Sequence, residues 1–231
     1  MTFKEYIKAN NIKKGVKDID CTVSSLTDLN GIEMFVNLQY LYCAHNDLTQ
    51  LPNLDSLVNL EVLHCNNNSL TQLPNLDSLI NLKRLHCDNN SLTQLPNLDE
   101  LANLEDLHCA YNPLSELPNL DNLINLVALY CHHNFLIELP NLDKLVNLVL
   151  LYCQRNSLTQ LTNLNNLVNL EDLDCDNNKL RELPNLNNLV NLKYLYCYNN
   201  KLPYSFNDSS IEDVKTLVSQ INRNKKIDEL I

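Results

Sequence analysis

The chain has 231 residues, 45% of them apolar, and carries 17 basic against 28 acidic side chains, a net charge of −11. That length holds one domain with little left for a second core, and the acidic balance disfavours nucleic acid, whose binding surfaces are basic. With only Gly15 and Gly31 present there is no glycine-rich loop to cradle a phosphate.

The first residues, Thr2-Phe3-Lys4-Glu5, have the form of a capping box opening a short helix through about Asn10. Residues 1–15 are read as an N-terminal helical cap. Lys4, Glu5 and Lys8 are followed by no apolar run, which argues against an ordinary signal peptide or a membrane span.

From residue 16 to 202 one spacing governs everything. Cysteines fall at 21, 43, 65, 87, 109, 131, 153, 175 and 197, each 22 residues after the last. Strict self-similarity at such a period predicts a stack of identical units, none able to bury its apolar face alone. Nine units are expected, the first and last atypical: in the first, Val16, Ile19, Cys21, Ser24 and Leu26 replace the usual leucines and asparagine. In the unit around Cys65, Leu63 and Cys65 stand two apart, so a short strand points both inward and turns Val62, His64 and Asn66 outward. Such strands stack about 4.8 Å apart, so nine units span roughly 40 Å. Pro52, Pro74, Pro96, Pro118, Pro140 and Pro184 lack a backbone donor and belong on the outer arc, where Thr162 and Leu202-Pro203 predict irregularity. Asparagine recurs from Asn46 to Asn200 where the chain turns inside the stack. An inward amide donates and accepts at once and satisfies the neighbouring turns. The triplets Asn67-Asn68-Ser69 and Asn89-Asn90-Ser91 also read as glycosylation acceptors, but the ladder role explains the spacing.

The unit LxxLxCxxNxLxxLPNLxxLxN resembles the leucine-rich repeat, with cysteine in place of the third leucine. Its length resembles the class found in internalin-type proteins and in a regulatory subunit of protein phosphatase 1, and its flavour is similar to repeat proteins of giant viruses and bacteria. The resemblance implies an α/β solenoid: an arc with a parallel sheet on the concave face, short 3₁₀ or extended turns on the convex face, and helical caps at both ends. It also implies protein binding through the concave face.

After the stack, Ser209-Ser210-Ile211-Glu212 offers a second capping box, followed by a helical stripe of Ile211, Val214, Leu217, Val218 and Ile221. Residues 203–231 are read as a C-terminal helical cap, with docking of a partner as the other use of that stripe. About 30 residues cannot hold a ligase domain of the kind some bacterial effectors join to such repeats.

Chemistry finds little footing. The cysteines form an inward column of free thiols, since parallel Cβ vectors would strain a disulfide and an odd count leaves one over. A reducing, cytoplasmic location is expected, the host cytoplasm for a viral source. Histidine and cysteine alternate, so imidazole and thiol face opposite ways and cannot share a zinc ion. The column His64, His86, His108, with Asp88, is the remaining metal candidate, but three in-line ligands suit a tetrahedron poorly, and the column is read as a polar surface ladder. Asp172-x-Asp174-x-Asp176 resembles a calcium loop without its glycine, since Asn177 stands there, and Leu183 stands where the bidentate glutamate belongs. No cofactor, metal or catalytic residue is assigned, and no enzyme activity is expected.

The outward strand positions are where the units differ. The middle column runs Tyr42, His64, His86, His108, Tyr130, Tyr152, Asp174, Tyr196. Tyr40, Arg84, Asp106, Leu150, Asp172 and Tyr194 flank it on one side, His132, Gln154, Asp176 and Tyr198 on the other, and Tyr111, His133 and Arg155 follow at the rim. Tyrosine and histidine give apolar contact with a polar tip and few rotors to freeze, a composition favoured at interfaces; the plainer reading is mutual support along the sheet. Asp172, Asp174 and Asp176 beside Tyr194, Tyr196 and Tyr198 suit a segment bearing lysine or arginine. The expected function is a non-catalytic interaction module, monomeric when free, binding another protein with a basic segment and neither nucleic acid nor membrane. The alternative is a structural or self-associating scaffold.

Overall fold

A computed structural model of the chain describes residues 1–202 and, beyond them, Lys215, Thr216 and Ser219. The predicted C-terminal cap otherwise lies outside the described residues. The chain opens with helix α1 (Phe3–Ala9). Nine strands of three residues come after it: β1 (Asp18–Asp20), β2 (Tyr40–Tyr42), β3 (Val62–His64), β4 (Arg84–His86), β5 (Asp106–His108), β6 (Ala128–Tyr130), β7 (Leu150–Tyr152), β8 (Asp172–Asp174) and β9 (Tyr194–Tyr196). They form one parallel sheet in sequence order. Every pairing is offset by one repeat, as in Leu63 opposite Leu85 and His64 opposite His86.

A three-residue strand suffices because hydrogen bonding between units does not stop at its end. The amide of Cys65 donates to His86 O at 2.8 Å, and that of Asn67, two residues on, donates to Asp88 O at 3.0 Å. The stack therefore continues the parallel ladder through the turn. There the chain reverses by putting one residue per unit in the left-handed region: His45, Asn67, Asn89, Tyr111, His133, Arg155, Asn177 and Asn199 have φ between 51° and 55°.

The next residue is the inward asparagine, and its amide does what the spacing implied. Asn112 Nδ2 donates to Cys87 O, Cys109 O and Ala110 O at 3.1–3.2 Å, while its Oδ1 accepts from Leu92 N at 2.9 Å. The same set recurs at Asn46, Asn68, Asn90, Asn134, Asn156, Asn178 and Asn200. In the first unit Ser24 is too short to do this. Both Val23 and Ser25 take positive φ there, and Asn46 Oδ1 accepts from Ser24 N as well as Leu26 N.

Inside, the middle leucine of β2 to β8 and every cysteine from Cys21 to Cys175 are closed to solvent. Leucines of the outer arc complete the core, each contributing about 1.5–3 kcal/mol. The arc is built from successive three-residue turns, such as Leu57 N to Leu54 O and Leu60 N to Leu57 O. A 3₁₀ helix (Ile32–Met34) replaces them in the first unit, entered through Gly31 at φ 106°. Thr162 marks the expected irregularity: the next residue, Asn163, turns to φ 61°, unlike its counterparts elsewhere on the arc.

At the N-terminus the capping box forms as expected, Glu5 N donating to Thr2 Oγ1 and Thr2 N to Glu5 Oε2. Phe3 is wholly buried, its ring edge-on to Phe35 at 6.0 Å. Among the described residues no helix is long and apolar enough to cross a membrane.

Two substitutions test the ladder. Asn112→Ala should lower unfolding free energy by about 3 kcal/mol, because it leaves several buried backbone groups without partners. Asn112→Asp keeps the shape and the acceptor but loses the donors, so it should destabilise to a similar extent in chemical denaturation. An aspartate variant as stable as the parent would mean that the amide's donors do not matter.

Candidate protein-interaction surface

The sheet turns two outward positions per strand to one face, and the third residues of β2 to β7 make a column of rings. Tyr42 meets His64 edge-on at 5.0 Å. His64 and His86 stack at 4.0 Å and 6°, His86 and His108 at 3.9 Å and 17°. His108 lies 4.0 Å from Tyr130, which meets Tyr152 edge-on at 5.0 Å. Parallel in-register strands put like positions side by side, so ring contacts run unbroken from β2 to β7. The first position is less uniform. Arg84 and Tyr194 are exposed, Tyr40 half-buried, and Val62 and Ala128 are covered by their larger neighbours.

Crowding sets the electrostatics. Burial, reinforced by the charges of His86 and His108, lowers His64 to about 4. His132, in the next column, is also lowered to about 4 by burial and by His133. Burial alone would raise the Asp106 carboxyl, but the imidazoles of His108 and His86 beside it outweigh that and hold the group well below the usual carboxylate range. The carboxylate that joins the histidines is therefore Asp106, on the flanking column of the same sheet, and not Asp88. Asp88 instead accepts from Asn89 Nδ2 at 3.0 Å.

At the other end, the three aspartates depart from the expectation of an exposed strand that gains nothing from them. All three are half-buried, and Asp176 lies beyond the end of β8. Each accepts a bond: Asp172 from the Tyr152 hydroxyl at 2.8 Å, Asp174 from Asp176 N at 3.0 Å, and Asp176 from Tyr198 N. Among the described residues none of the three is ion-paired. Burial first, then the charges of Asp176 and Asp172, raises Asp174 to about 6 despite its backbone bond. Burial raises Asp176 as well. Beside this strip Tyr194, Tyr196 and Tyr198 are 55%, 39% and 40% exposed.

The thiols are sequestered on the opposite side of the strands: all nine are free and buried. Burial pushes Cys65 and Cys131 up to about 12, so the thiolate needed for metal binding or nucleophilic attack is disfavoured.

The sequence reading placed Tyr111, His133 and Arg155 at the rim but missed Phe135 among them and a stripe on the outer arc. Beyond the sheet edge Tyr111 stacks on His133 at 4.0 Å, with Phe135 and Arg155 beside them around one cleft. Phe135 is 66% exposed where other units carry Ser69, Ser91 or Ser157, a contrast the sequence did display. On the outer arc, Val36, Val58, Ile80, Ile124, Val146, Val168 and Val190 form an exposed apolar stripe. A second row of asparagines braces it, Asn59 Nδ2 donating to Val36 O and so on along the stack.

Removing one buried charge should show the sign of the electrostatics. Asp174 is raised from 3.8 to about 6 in the folded chain, so its contribution to stability is fully present below the unfolded value and is lost as pH rises through the folded one. Asp174→Asn keeps an acceptor for Asp176 N and should melt higher than the parent at pH 7, the gain vanishing below about pH 4. Thermal melts across that range check it; a gain independent of pH would assign the effect to packing.

Residues 36–78 match the model of the leucine-rich repeat family. No curated protein sequence matches the chain. Among solved structures, the functional domain of InlJ from Listeria monocytogenes, which includes a cysteine ladder, is 32% identical with a TM-score of 0.63, over 82% of this chain and 45% of that one. YopM from Yersinia enterocolitica is 28% identical with a TM-score of 0.72, over 87% of this chain and 40% of its own. A leucine-rich repeat protein of Leptospira interrogans is 29% identical with a TM-score of 0.61, over 78% and 54%. The chain thus spans about half or less of each neighbour. The leucine-rich repeat fold is typical of protein–protein interaction modules, and its members are generally non-enzymatic. Residues 36–78 are thus leucine-rich repeats, the whole stack has the solenoid fold of these bacterial neighbours, and its 22-residue units with their column of cysteines fit the internalin-like class.

Proposed function

We propose that the chain is a non-catalytic interaction module that binds a lysine- or arginine-bearing segment of another protein on the C-terminal half of the concave sheet face. The observation that carries this reading is the carboxylate strip of Asp172, Asp174 and Asp176, without an ion pair among the described residues, beside the exposed rings of Tyr194, Tyr196 and Tyr198. Asp174 and Asp176, raised by burial, carry charges that a cation stabilises by entering. Tyrosine faces add cation–π attraction and area with few rotors to freeze. Tyr130 and Tyr152 continue the aromatic surface, and the imidazoles of His64, His86 and His108 with Tyr42 extend it toward the N-terminal units. Arg84 and Tyr40 border that end. In this reading the free chain is a monomer in a reducing, cytoplasmic compartment, and residues 1–15 shield the N-terminal end of the stack.

A self-associating scaffold is the second reading, favoured by the outer-arc stripe from Val36 to Val190, an apolar row that a copy of the same row would match. Sedimentation over a concentration series separates the two, since a scaffold assembles alone and a module stays monomeric.

The binding reading is tested with two variants, Asp172/Asp174/Asp176 to Asn and Tyr194/Tyr196/Tyr198 to Ser, each first shown to melt as a folded chain. Partners recovered from host lysate by the parent should be lost, or weakened about tenfold, with both variants, and binding by the parent should fall with added salt. Recovery of the same partners by both, with unchanged salt sensitivity, would place the binding site elsewhere.

A further inference from the structure

We propose that His86, His108 and Asp106 form a binding site for a divalent transition-metal ion of the zinc type at the middle of the sheet face. One ligand atom from each, two imidazole nitrogens and a carboxylate oxygen, lies within 4.8 Å of the others. His108 Nε2 is 2.9 Å from Asp106 Oδ1, and His86 Nε2 is 3.5 Å from Asp106 Oδ2. The first of these distances is short, yet Asp106 Oδ1 is buried and takes no aligned hydrogen bond. A carboxylate oxygen set against an imidazole nitrogen without an aligned hydrogen bond is placed to share a cation with it.

In-line imidazoles alone make a poor tetrahedron, and Asp106 removes that objection. It projects from the flanking column, so the three donors form a triangle across β4 and β5. Asp18, Asp106 and Asp172 are the acids of that column, and of these only Asp106 has histidines at the adjacent positions of the ring column. The frame is already built. His64 stacks on one side of the pair at 4.0 Å and Tyr130 packs on the other at 4.0 Å, which holds both rings over the sheet face beside Asp106.

The donor set selects the ion. Two imidazoles with one carboxylate suit zinc, copper or nickel, whereas calcium and magnesium prefer oxygen alone. Zinc bonds to nitrogen and oxygen are about 2.0–2.2 Å, and an imidazole lone pair lies in its ring plane, so binding turns at least one of the two stacked rings toward the ion. Three protein ligands leave a fourth position facing the open side of the sheet, where water or a donor from a bound protein completes the shell.

The test titrates metal-free protein with zinc chloride by calorimetry and with cobalt chloride by absorption and NMR. One ion per chain should bind saturably, and cobalt should broaden the ring signals of His86 and His108 ahead of those of His45 and His133. His86→Gln, His108→Gln and Asp106→Asn should each weaken binding by about tenfold or more, while Tyr42→Phe should leave it within about threefold. Each variant's melting curve without metal shows that it is folded. Absence of saturable binding, equal affinity of Asp106→Asn and the parent, or an intense near-ultraviolet thiolate–cobalt band would each overturn the assignment.

Discussion

A chain that climbs by one strand every 22 residues must turn inside its own core, and the turn brings backbone groups with it that no sheet neighbour can reach. The inward asparagine resolves this. Its amide takes three carbonyls and gives one acceptor to an amide of the preceding unit, so each unit is satisfied by the unit after it. An unmet buried group costs about 1–3 kcal/mol, and eight such amides from Asn46 to Asn200 share the burden along the stack. Units bound in this way stay in register, and register is what places His64 over His86 and Tyr130 over Tyr152 on the outer side of the sheet.

The same requirement separates what is fixed from what varies. Leucine, cysteine and asparagine repeat because each faces the interior, where a change of one methylene or one donor is felt. The outward strand positions bear no such demand, and the surface accumulates there: rings from β2 to β7, an imidazole pair with its carboxylate near the centre, and half-buried aspartates beside exposed tyrosines at β8 and β9. The left-handed position after each cysteine lies between these regimes. Asparagine tolerates it readily, whereas His45, Tyr111, His133 and Arg155 are bulkier than φ near 50° favours. Tyr111, His133 and Arg155 stand together around one cleft with the exposed Phe135.

Much of this was legible in residue spacing. Period, strand register, the buried thiols and the asparagine bonds are dictated by a repeat with no insertion, since each is a property of one unit copied along the chain. The capping box at Thr2 was equally local. What spacing could not show were contacts between different columns. Asp106 reaches His86 and His108 because a carboxylate on the flanking column spans two strands, whereas Asp88, nearer His86 in sequence, turns to Asn89. The bonds to Asp172 and Asp176 likewise come from Tyr152 and Tyr198 in adjoining units. The outer-arc valines and isoleucines were visible as a column, but that they stay exposed depends on the arc's turns.

Amide hydrogen exchange reads the central constraint directly. The amides of Leu48, Leu70, Leu92, Leu114, Leu136, Leu158 and Leu180 donate to asparagine side chains rather than to backbone. If those bonds hold the stack together, these amides should be as slow to exchange as the strand-end amides of Cys65, Cys87 and Cys109 and should open with them in one cooperative unit. Leucine amides that exchange at the rate of the outer-arc turns, while the cysteine amides remain protected, would contradict it.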